Sequence, residues 1–371
     1  MKKLGFGLMR LPLKEENDPK SIDYEQVCGM ADTFLAHGFT YFDTAYMYHD
    51  GVSETAVKKV LVDRHPRESF SVTSKLPTML LKAQDDQKRI FAEQLERTGA
   101  GYFDVYLLHN LGTENYAKAK KFKSFEFVSD LKRQGIVKKI GFSFHDRAAV
   151  LDEILTEHPE VDYVQLQINY LDWEDAGIQS RLCHETAVRH GKQIIVMEPV
   201  KGGSLVRVPR SVKELFAQAH PDWSLASWAI RFAAGLENVV MVLSGMSDLA
   251  QLTDNIQYMR EFRPLGKEET ELLREAARIL SSAATIPCTG CRYCTEGCPA
   301  HIAIPEYFSL FNNEQLSNKG GYSLQKQYYN TYSKKFGAAS ACIGCGKCER
   351  ACPQHLPVRE LLKKVAAHYE G

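Results

Sequence analysis

The chain has 371 residues, which at about 150 residues per domain is too long for one small module and fits one large domain plus a smaller one. Hydrophobic residues at 44%, charged residues at 25% and a mean hydropathy of -0.30 exclude a disordered chain, a collagen-like repeat and a disulfide-dense toxin. Lys+Arg and Asp+Glu balance at 46 each, so no global field draws the protein to nucleic acid or anionic lipid, and neither is expected as a partner.

The N-terminal residues Met1-Lys2-Lys3-Leu4-Gly5-Phe6-Gly7 lead to Pro12 without the apolar core of a signal peptide, and no apolar run approaches the ~18 residues of a membrane span. A cytoplasmic location and no membrane attachment are expected. Short apolar runs then alternate with amphipathic stretches as far as about residue 260. Eight runs read as strands: Leu4 to Met9, Phe39 to Phe42, Phe70 to Thr73, Val105 to Leu108, Lys139 to Phe142, Tyr163 to Leu166, Gln193 to Met197 and Val239 to Leu243. Between them, Asp23 with Gln26 predicts a capped helix start, and Gly38, Gly99, Gly135, Gly191 and Gly235 predict helix ends. Eight such units predict an α/β fold, a closed (β/α)8 TIM barrel. An open doubly wound sheet has the same periodicity, but no Gly-x-Gly-x-x-Gly follows the first strand.

Chemistry in such a barrel gathers at the C-terminal strand ends. There stand Asp43 after Tyr41-Phe42, Lys75 after Thr73-Ser74 and His109 after Leu107-Leu108, with Tyr48 on the same loop as Asp43. Taken singly, each has a plainer role: a turn cap, a surface lysine, a core hydrogen bond, one of 17 tyrosines. Together they fit carbonyl reduction, which needs a proton at oxygen as hydride reaches carbon. Tyr48 is the expected acid. An unperturbed phenol, with pKa ~10, is a poor donor at neutral pH, and a neighbouring Lys75 ammonium is expected to lower that value. Asp43 would hold Lys75 charged, and His109 would donate a hydrogen bond to the substrate oxygen.

Phe42-Asp43-Thr44-Ala45-Tyr46-Met47-Tyr48, Ser74-Lys75 and Leu107-Leu108-His109-Asn110 resemble the Asp, Tyr, Lys, His tetrad of the aldo-keto reductases, a likeness that covers residues 1 to about 280. The resemblance implies that Tyr48, not Tyr46, is the general acid, and that NADP or NAD binds across the barrel mouth without a Rossmann fingerprint. It implies that Ser143 and Gln165 hold the nicotinamide carboxamide, and that Ser244, Gly245, Met246, Gln251 and Asn255 receive the adenosine end. Phe144 and Met197 depart from the family's usual Asn and aromatic residue. No Arg or Lys lies between Ser244 and Asn255 to meet a 2'-phosphate, although Lys201 with Gly202 offers one from another loop.

Composition shifts after Ala283 to Cys, Gly, Pro and Tyr, which divides the chain into domains 1–283 and 284–371. Of the ten cysteines, eight lie beyond residue 287. Cys288-x-x-Cys291-x-x-Cys294-x-x-x-Cys298-Pro299 and Cys342-x-x-Cys345-x-x-Cys348-x-x-x-Cys352-Pro353 repeat one spacing, the iron-sulfur pattern in which three close thiolates take three corners of a cubane. Structural zinc needs only two Cys-x-x-Cys knuckles per ion, so the third cysteine and the proline speak against it. The pair resembles a two-cluster bacterial ferredoxin, a small α+β domain. That resemblance assigns Cys288, Cys291, Cys294 and Cys352 to one 4Fe-4S cluster and Cys342, Cys345, Cys348 and Cys298 to the other. The 43 residues between the runs exceed a minimal ferredoxin's need and include Tyr- and Lys-rich Asn312 to Lys335, with Lys319, Tyr322, Tyr328, Tyr329 and Tyr332, read as a solvated or docking helix. Cys28 and Cys183 read as packing residues.

The expected protein is an oxidoreductase that uses NADP or NAD to reduce an aldehyde or ketone and carries two 4Fe-4S clusters that a redox partner protein could serve. The alternative is an iron-sulfur electron-transfer protein whose barrel is a docking or redox-sensing scaffold.

Overall fold

All eight apolar runs form strands in the computed structural model, which describes residues 2–15, 17–174, 178–283, 285–316 and 324–371. They are β1 (Leu4–Gly7), β2 (Tyr41–Asp43), β3 (Ser71–Leu76), β4 (Phe103–Leu111), β5 (Val137–Phe144), β6 (Tyr163–Gln167), β7 (Gln193–Met197) and β8 (Val239–Ser244). Neighbours pair in parallel in chain order and β8 closes on β1, so the sheet is a barrel and not an open sheet.

The two-residue strand period sorts the side chains. Tyr41, Val105, Leu107, Ile195, Met241 and Leu243 fill the interior. Phe6 and Phe42 lie on the other face, where Phe34 of the helix Tyr24–Ala36 meets them at centroid distances of 5.7 and 5.4 Å. Two residues on from inward Tyr41, Thr73, Leu107 and Tyr163 come Asp43, Lys75, His109 and Gln165, which places these polar groups one layer higher, at the barrel mouth.

Asp23 caps its helix, its carboxylate accepting the Gln26 N–H at 3.3 Å. Gly38, Gly99, Gly135 and Gly191 take left-handed φ of 74°, 62°, 74° and 66° after their helices. Gly235 does not act that way. It is the last residue of the helix Leu225–Gly235 without a left-handed φ, and the chain turns out at Leu236 in extended conformation. Among the described residues no helix is long and apolar enough to cross a membrane.

A second compact unit takes Val200–Asp222 and Glu271–Gly371. Residue 284, the expected start of the second domain, lies outside the described residues, as do Lys319, Tyr322 and the side chain of Tyr328. The repeated cysteine spacing is matched by a repeated backbone. Gly290 and Gly344 have φ of 70° and 72°, Arg292 and Gly346 69° and 70°, and His301 and His355 51° and 50°, each pair as far apart in the chain as Cys288 from Cys342. Each Cys-Pro is followed at one interval by a helix, Ile304–Leu316 and Val358–Tyr369. Ile286, Tyr307, Phe308, Leu362 and Val365 form the unit's core, which Tyr329 joins, buried between Tyr307 and Tyr369 at centroid distances of 4.6 and 4.7 Å. Tyr329 is therefore a packing residue and not part of a docking face.

A Cβ on Gly141 of β5 would lie 2.0 Å from the Tyr163 carbonyl oxygen of β6, whereas one on exposed, helical Gly29 meets nothing within 4 Å. Gly141→Ala should cost at least about 3 kcal/mol, because backbone must move. Gly29→Ala should stabilise by about 0.5–1 kcal/mol. Urea midpoints of the two variants against the parent protein check both signs.

Candidate active site

At the mouth of the barrel the Lys75 ammonium, fully buried on β3, donates to Asp43 Oδ1 at 2.5 Å, to the Thr44 carbonyl at 2.8 Å and to Tyr48 Oη at 3.2 Å. Gln165 Nε2 donates to the second Asp43 oxygen at 3.2 Å. Burial pushes Lys75 down and Asp43 up, and each supplies the counter-charge that opposes the other's neutralisation. Behind β3 lies a polar cluster that sequence reasoning missed. Buried Glu54 accepts from Ser74 Oγ at 2.7 Å and from Gln94 Nε2 at 2.6 Å, while Gln94 also donates to the Lys75 carbonyl at 3.1 Å and accepts from Tyr106 Oη at 2.5 Å. The Glu54 charge adds to Asp43 in favouring the Lys75 ammonium.

Tyr48 begins a turn in which His49, Asp50 and Gly51 all have left-handed φ, 52°, 51° and 88°. Two of the three are not glycine, so the turn is strained and needs external support. The His49 ring provides it: Nδ1 donates to the Pro19 carbonyl at 2.9 Å and Nε2 accepts the Leu11 N–H at 3.1 Å, which fixes a neutral tautomer and ties the turn to the segment after β1. Tyr46, by contrast, donates to Glu93 Oε2 at 2.8 Å, under the Arg97 guanidinium. His109 meets Tyr48 edge to face at 6.1 Å. It sits where β4 slips register between Leu108 and Leu111, with Asn110 at φ 59° donating its N–H to Ser143 Oγ at 2.7 Å. Such bulges re-aim side chains beside active sites.

The expectation that Lys75 lowers the Tyr48 pKa is not met. Burial raises the phenol well above its usual value, Asp43 and Glu198 add to the rise, and Arg10 opposes it. The reason is pairing: the Lys75 charge is offset by Asp43 at 2.5 Å, so little net field reaches the phenol and desolvation wins. Tyr48 accordingly rests protonated. Burial, with Lys75 and His145 nearby, pushes His109 well below the usual histidine value, so its ring is neutral at pH 7.

Of the other expected residues, Ser143, Gln165, Ser244, Met246 and Asn255 are buried in the barrel unit. Asn255 Nδ2 donates to the Gln251 carbonyl at 2.8 Å, and its buried Oδ1 has no hydrogen-bond partner among the described residues. Both ends of the Gln251 amide are engaged in the turn, with Nε2 on Asp248 at 2.7 Å and Oε1 on the Ser247 N–H at 3.0 Å. Asp248 caps that helix start, so an anion already occupies it. A residue that sequence reasoning missed is Arg10, just past β1. Its stem packs 3.2 Å from a Cβ position on Gly245, and its buried Nη2 stands 3.9 Å from Glu198 Oε1 without a hydrogen-bond partner among the described residues. The strand-end rule that found Asp43 also points to Arg10 and Glu198. Lys201 and Gly202 belong to the second unit, where the buried Lys201 ammonium favours the thiolate of Cys288.

In that unit Cys298, Cys342, Cys345 and Cys348 line one cavity with Ile302, Ile304 and Leu362. In the other group burial raises Cys288 to about 11 and Cys294 further, and the charges of Cys291, Cys288 and Cys352 are close enough to add to the rise on Cys294. The fourth cysteine of each run thus stands with the other run. Among the described residues no three Cys, His, Asp or Glu are close enough to share one metal ion. The thiolates of a cubane each take a different iron and stand wider apart, so the donor set fits a cluster better than zinc. Backbone N–H groups of Gly290, Glu349 and of Gln354, His355 and Leu356 favour the thiolates of Cys288, Cys348 and Cys352 respectively.

The sequence model of the aldo/keto reductase family matches residues 3–278, and that of the 4Fe-4S dicluster domain matches residues 287–356. An aldo-keto reductase of Mycolicibacterium paratuberculosis is 27% identical over 297 residues, covering 76% of this chain and 89% of the relative. Two solved structures share the barrel fold. An aldo-keto reductase from Bacillus halodurans in holo form has TM-score 0.58 at 23% identity, over 74% of this chain and 91% of its own. One from Klebsiella pneumoniae, in complex with NADP and acetate, has TM-score 0.57 at 17% identity, over 74% and 90%. With its closed barrel, the tetrad assembled at the mouth and the match over most of its length, the chain belongs to the aldo/keto reductase family of oxidoreductases and carries a C-terminal 4Fe-4S dicluster domain.

Proposed function

We propose that the protein reduces an aldehyde or ketone to the alcohol, with Tyr48 as general acid and NADP or NAD as reductant, and that its eight C-terminal cysteines hold two 4Fe-4S clusters. The observation that carries this reading is the single Lys75 ammonium bound at once to Asp43, Thr44 and Tyr48. When bound, the nicotinamide would supply hydride to the substrate carbon. Tyr48 delivers its proton to the substrate oxygen. As that proton leaves, the hydrogen bond that Lys75 already donates to Tyr48 Oη at 3.2 Å strengthens, since an oxygen gaining negative charge is a better acceptor than a neutral phenol, so the lysine favours the transition state. Asp43 and Glu54 keep the buried ammonium charged, and neutral His109 donates an N–H where negative charge develops on oxygen.

For the dinucleotide we assign Ser143 and Gln165 to the carboxamide, and Ser244, Gly245, Met246, Asn255 and, through its turn, Gln251 to the far end. Arg10 would offer a donor to phosphate. The orphaned Asn255 Oδ1 and Arg10 Nη2 support that fit, since each lacks a partner a bound dinucleotide would provide. NADP is the form bound in the Klebsiella pneumoniae structure. Lys201 and Gly202 we assign instead to the surroundings of the first cluster. We place the functional domain limit at 283/284, between the two matched regions. Nicotinamide moves two electrons together and a cluster moves one, so the clusters exchange more readily with an outside one-electron carrier than with the barrel's cofactor.

Tyr48→Phe should lower kcat for NAD(P)H-dependent carbonyl reduction by about 10²–10⁴-fold while leaving cluster absorbance intact. Because the Tyr48 pKa is raised and that of His109 lowered, reduction by the parent enzyme should be flat through pH 6 to 9 and decline only above ~10. A limb near pH 6.5, or an active Tyr48→Phe enzyme, would remove these assignments. Asp43→Asn leaves a buried ammonium facing a neutral amide and should cost about 3–5 kcal/mol in chemical denaturation, with Asp43→Asn/Lys75→Met recovering part of it. If the ligands cross between runs, Cys298→Ser should abolish the same electron paramagnetic resonance signal as Cys342→Ser and spare the one lost in Cys291→Ser; the opposite grouping would show that each run holds its own fourth ligand.

A further inference from the structure

We infer that the turn around Cys345 is the docking port through which an acidic one-electron carrier protein exchanges electrons with the second cluster. The inference rests on the reading that Cys298, Cys342, Cys345 and Cys348 hold that cluster.

The two cysteine groups differ in cover and in charge. Cys345 is the one exposed cysteine of the ten, while Cys294 and Cys352 of the first group are buried. Beside Cys345, Ile343 is 71% exposed, the largest value among the described large hydrophobic residues, and a Cβ on Gly344 would meet nothing within 4 Å. This is thin cover over a ligand, and electron transfer needs a short path.

Cations rim the turn. Arg359 Nη1 donates to the Gly344 carbonyl at 3.5 Å, the Arg350 guanidinium lies 3.5 Å from a Cβ position on Gly346, and exposed Lys347 follows directly. Glu349 is taken up by Arg359 Nε at 2.9 Å. Among the described residues, neither Lys347 nor Arg350 has an ion-pair partner. On the first run Tyr293 and exposed Glu296 stand at the positions of Lys347 and Arg350, and Arg292, at the position of Gly346, pairs with Glu306.

In a chain with net charge zero, a cationic rim around one apolar residue gives a local field that steers an acidic partner to that spot. Lys347, Arg350 and the Glu349-paired Arg359 are too few to track a nucleic acid, and a small-molecule reductant needs neither rim nor apolar centre. In the exchange one electron leaves the carrier, which is oxidised by one, and enters the cluster, which is reduced by one; no bond or proton moves.

The test uses full-length holoprotein prepared anaerobically, with a reduced acidic plant-type ferredoxin as the carrier and dithionite as a small reductant. Bleaching of the cluster absorbance is followed by stopped flow. The second-order rate constant with ferredoxin should fall about tenfold in Lys347→Glu/Arg350→Glu, and about tenfold in the parent between low and moderate salt. Ile343→Asp should also slow it, while dithionite bleaches parent and variants at equal rates. A ferredoxin rate indifferent to these changes, or a loss matched by dithionite, overturns the port. A dimer that Lys347→Glu/Arg350→Glu dissolves would assign the face to a second copy and overturn it as well. If dithionite bleaches nothing in the parent, the cluster reading itself fails; if dithionite bleaches and ferredoxin is indifferent, only the port does.

Discussion

The barrel mouth depends on one buried ion pair. Taking Lys75 and Asp43 out of water costs several kcal/mol per ion, and the pair persists because its atoms are satisfied on every side: Thr44 and Tyr48 accept from the ammonium, and Gln165 donates to the carboxylate. Removing either charged partner leaves the other charge in a region with no solvent to screen it. The pair also fixes the state of its neighbours. Because the two charges largely cancel at the phenol, desolvation outweighs the field that remains and Tyr48 rests protonated, with the Lys75 hydrogen bond in place to strengthen as the oxygen gains charge. An isolated lysine would have pulled the phenol toward ionisation and left less of the acid form.

The support for that pair comes from outside the barrel interior. Glu54, Ser74, Gln94 and Tyr106 lie on the far side of β3, and Gln94 holds the Lys75 backbone itself. A strained turn after Tyr48 is held by a histidine whose two nitrogens have opposite roles. The site is therefore positioned by groups that would never touch substrate, as a preorganised site requires.

In the second unit the same motif, folded twice, yields two unlike environments. Equal spacing and equal left-handed positions give each run the same local wrap, yet the first group has buried Lys201 and buried thiols about it, and the second has an exposed thiol and a cationic rim. Charge, exposure and N–H donors to sulfur are the quantities that set cluster potential, so duplication of sequence does not imply duplication of redox behaviour.

Strand number, barrel class, the strand-end positions of Asp43, Lys75 and His109 and the cysteine spacing were legible because each is written in local periodicity, with two residues per strand pleat, a polar residue past an apolar run and regular intervals between thiolates, whereas Tyr48 was singled out over Tyr46 by the family likeness. Gly235 ends its helix as expected but without a left-handed turn, because the next residue leaves in extended form. The direction of the Tyr48 shift was misjudged because a lysine's effect depends on what already neutralises it. The placement of Lys201, the roles of Arg10 and Glu54 and the bulge at His109 all depend on segments distant in the chain meeting in space, and the grouping of each fourth cysteine with the opposite run was legible in the sequence only through the likeness to a two-cluster ferredoxin. Composition and spacing alone fixed which chemistry the residues can perform; only the tertiary structure decided which charges are paired, which are buried and which face water, because desolvation and Coulomb attraction act through space and not along the sequence.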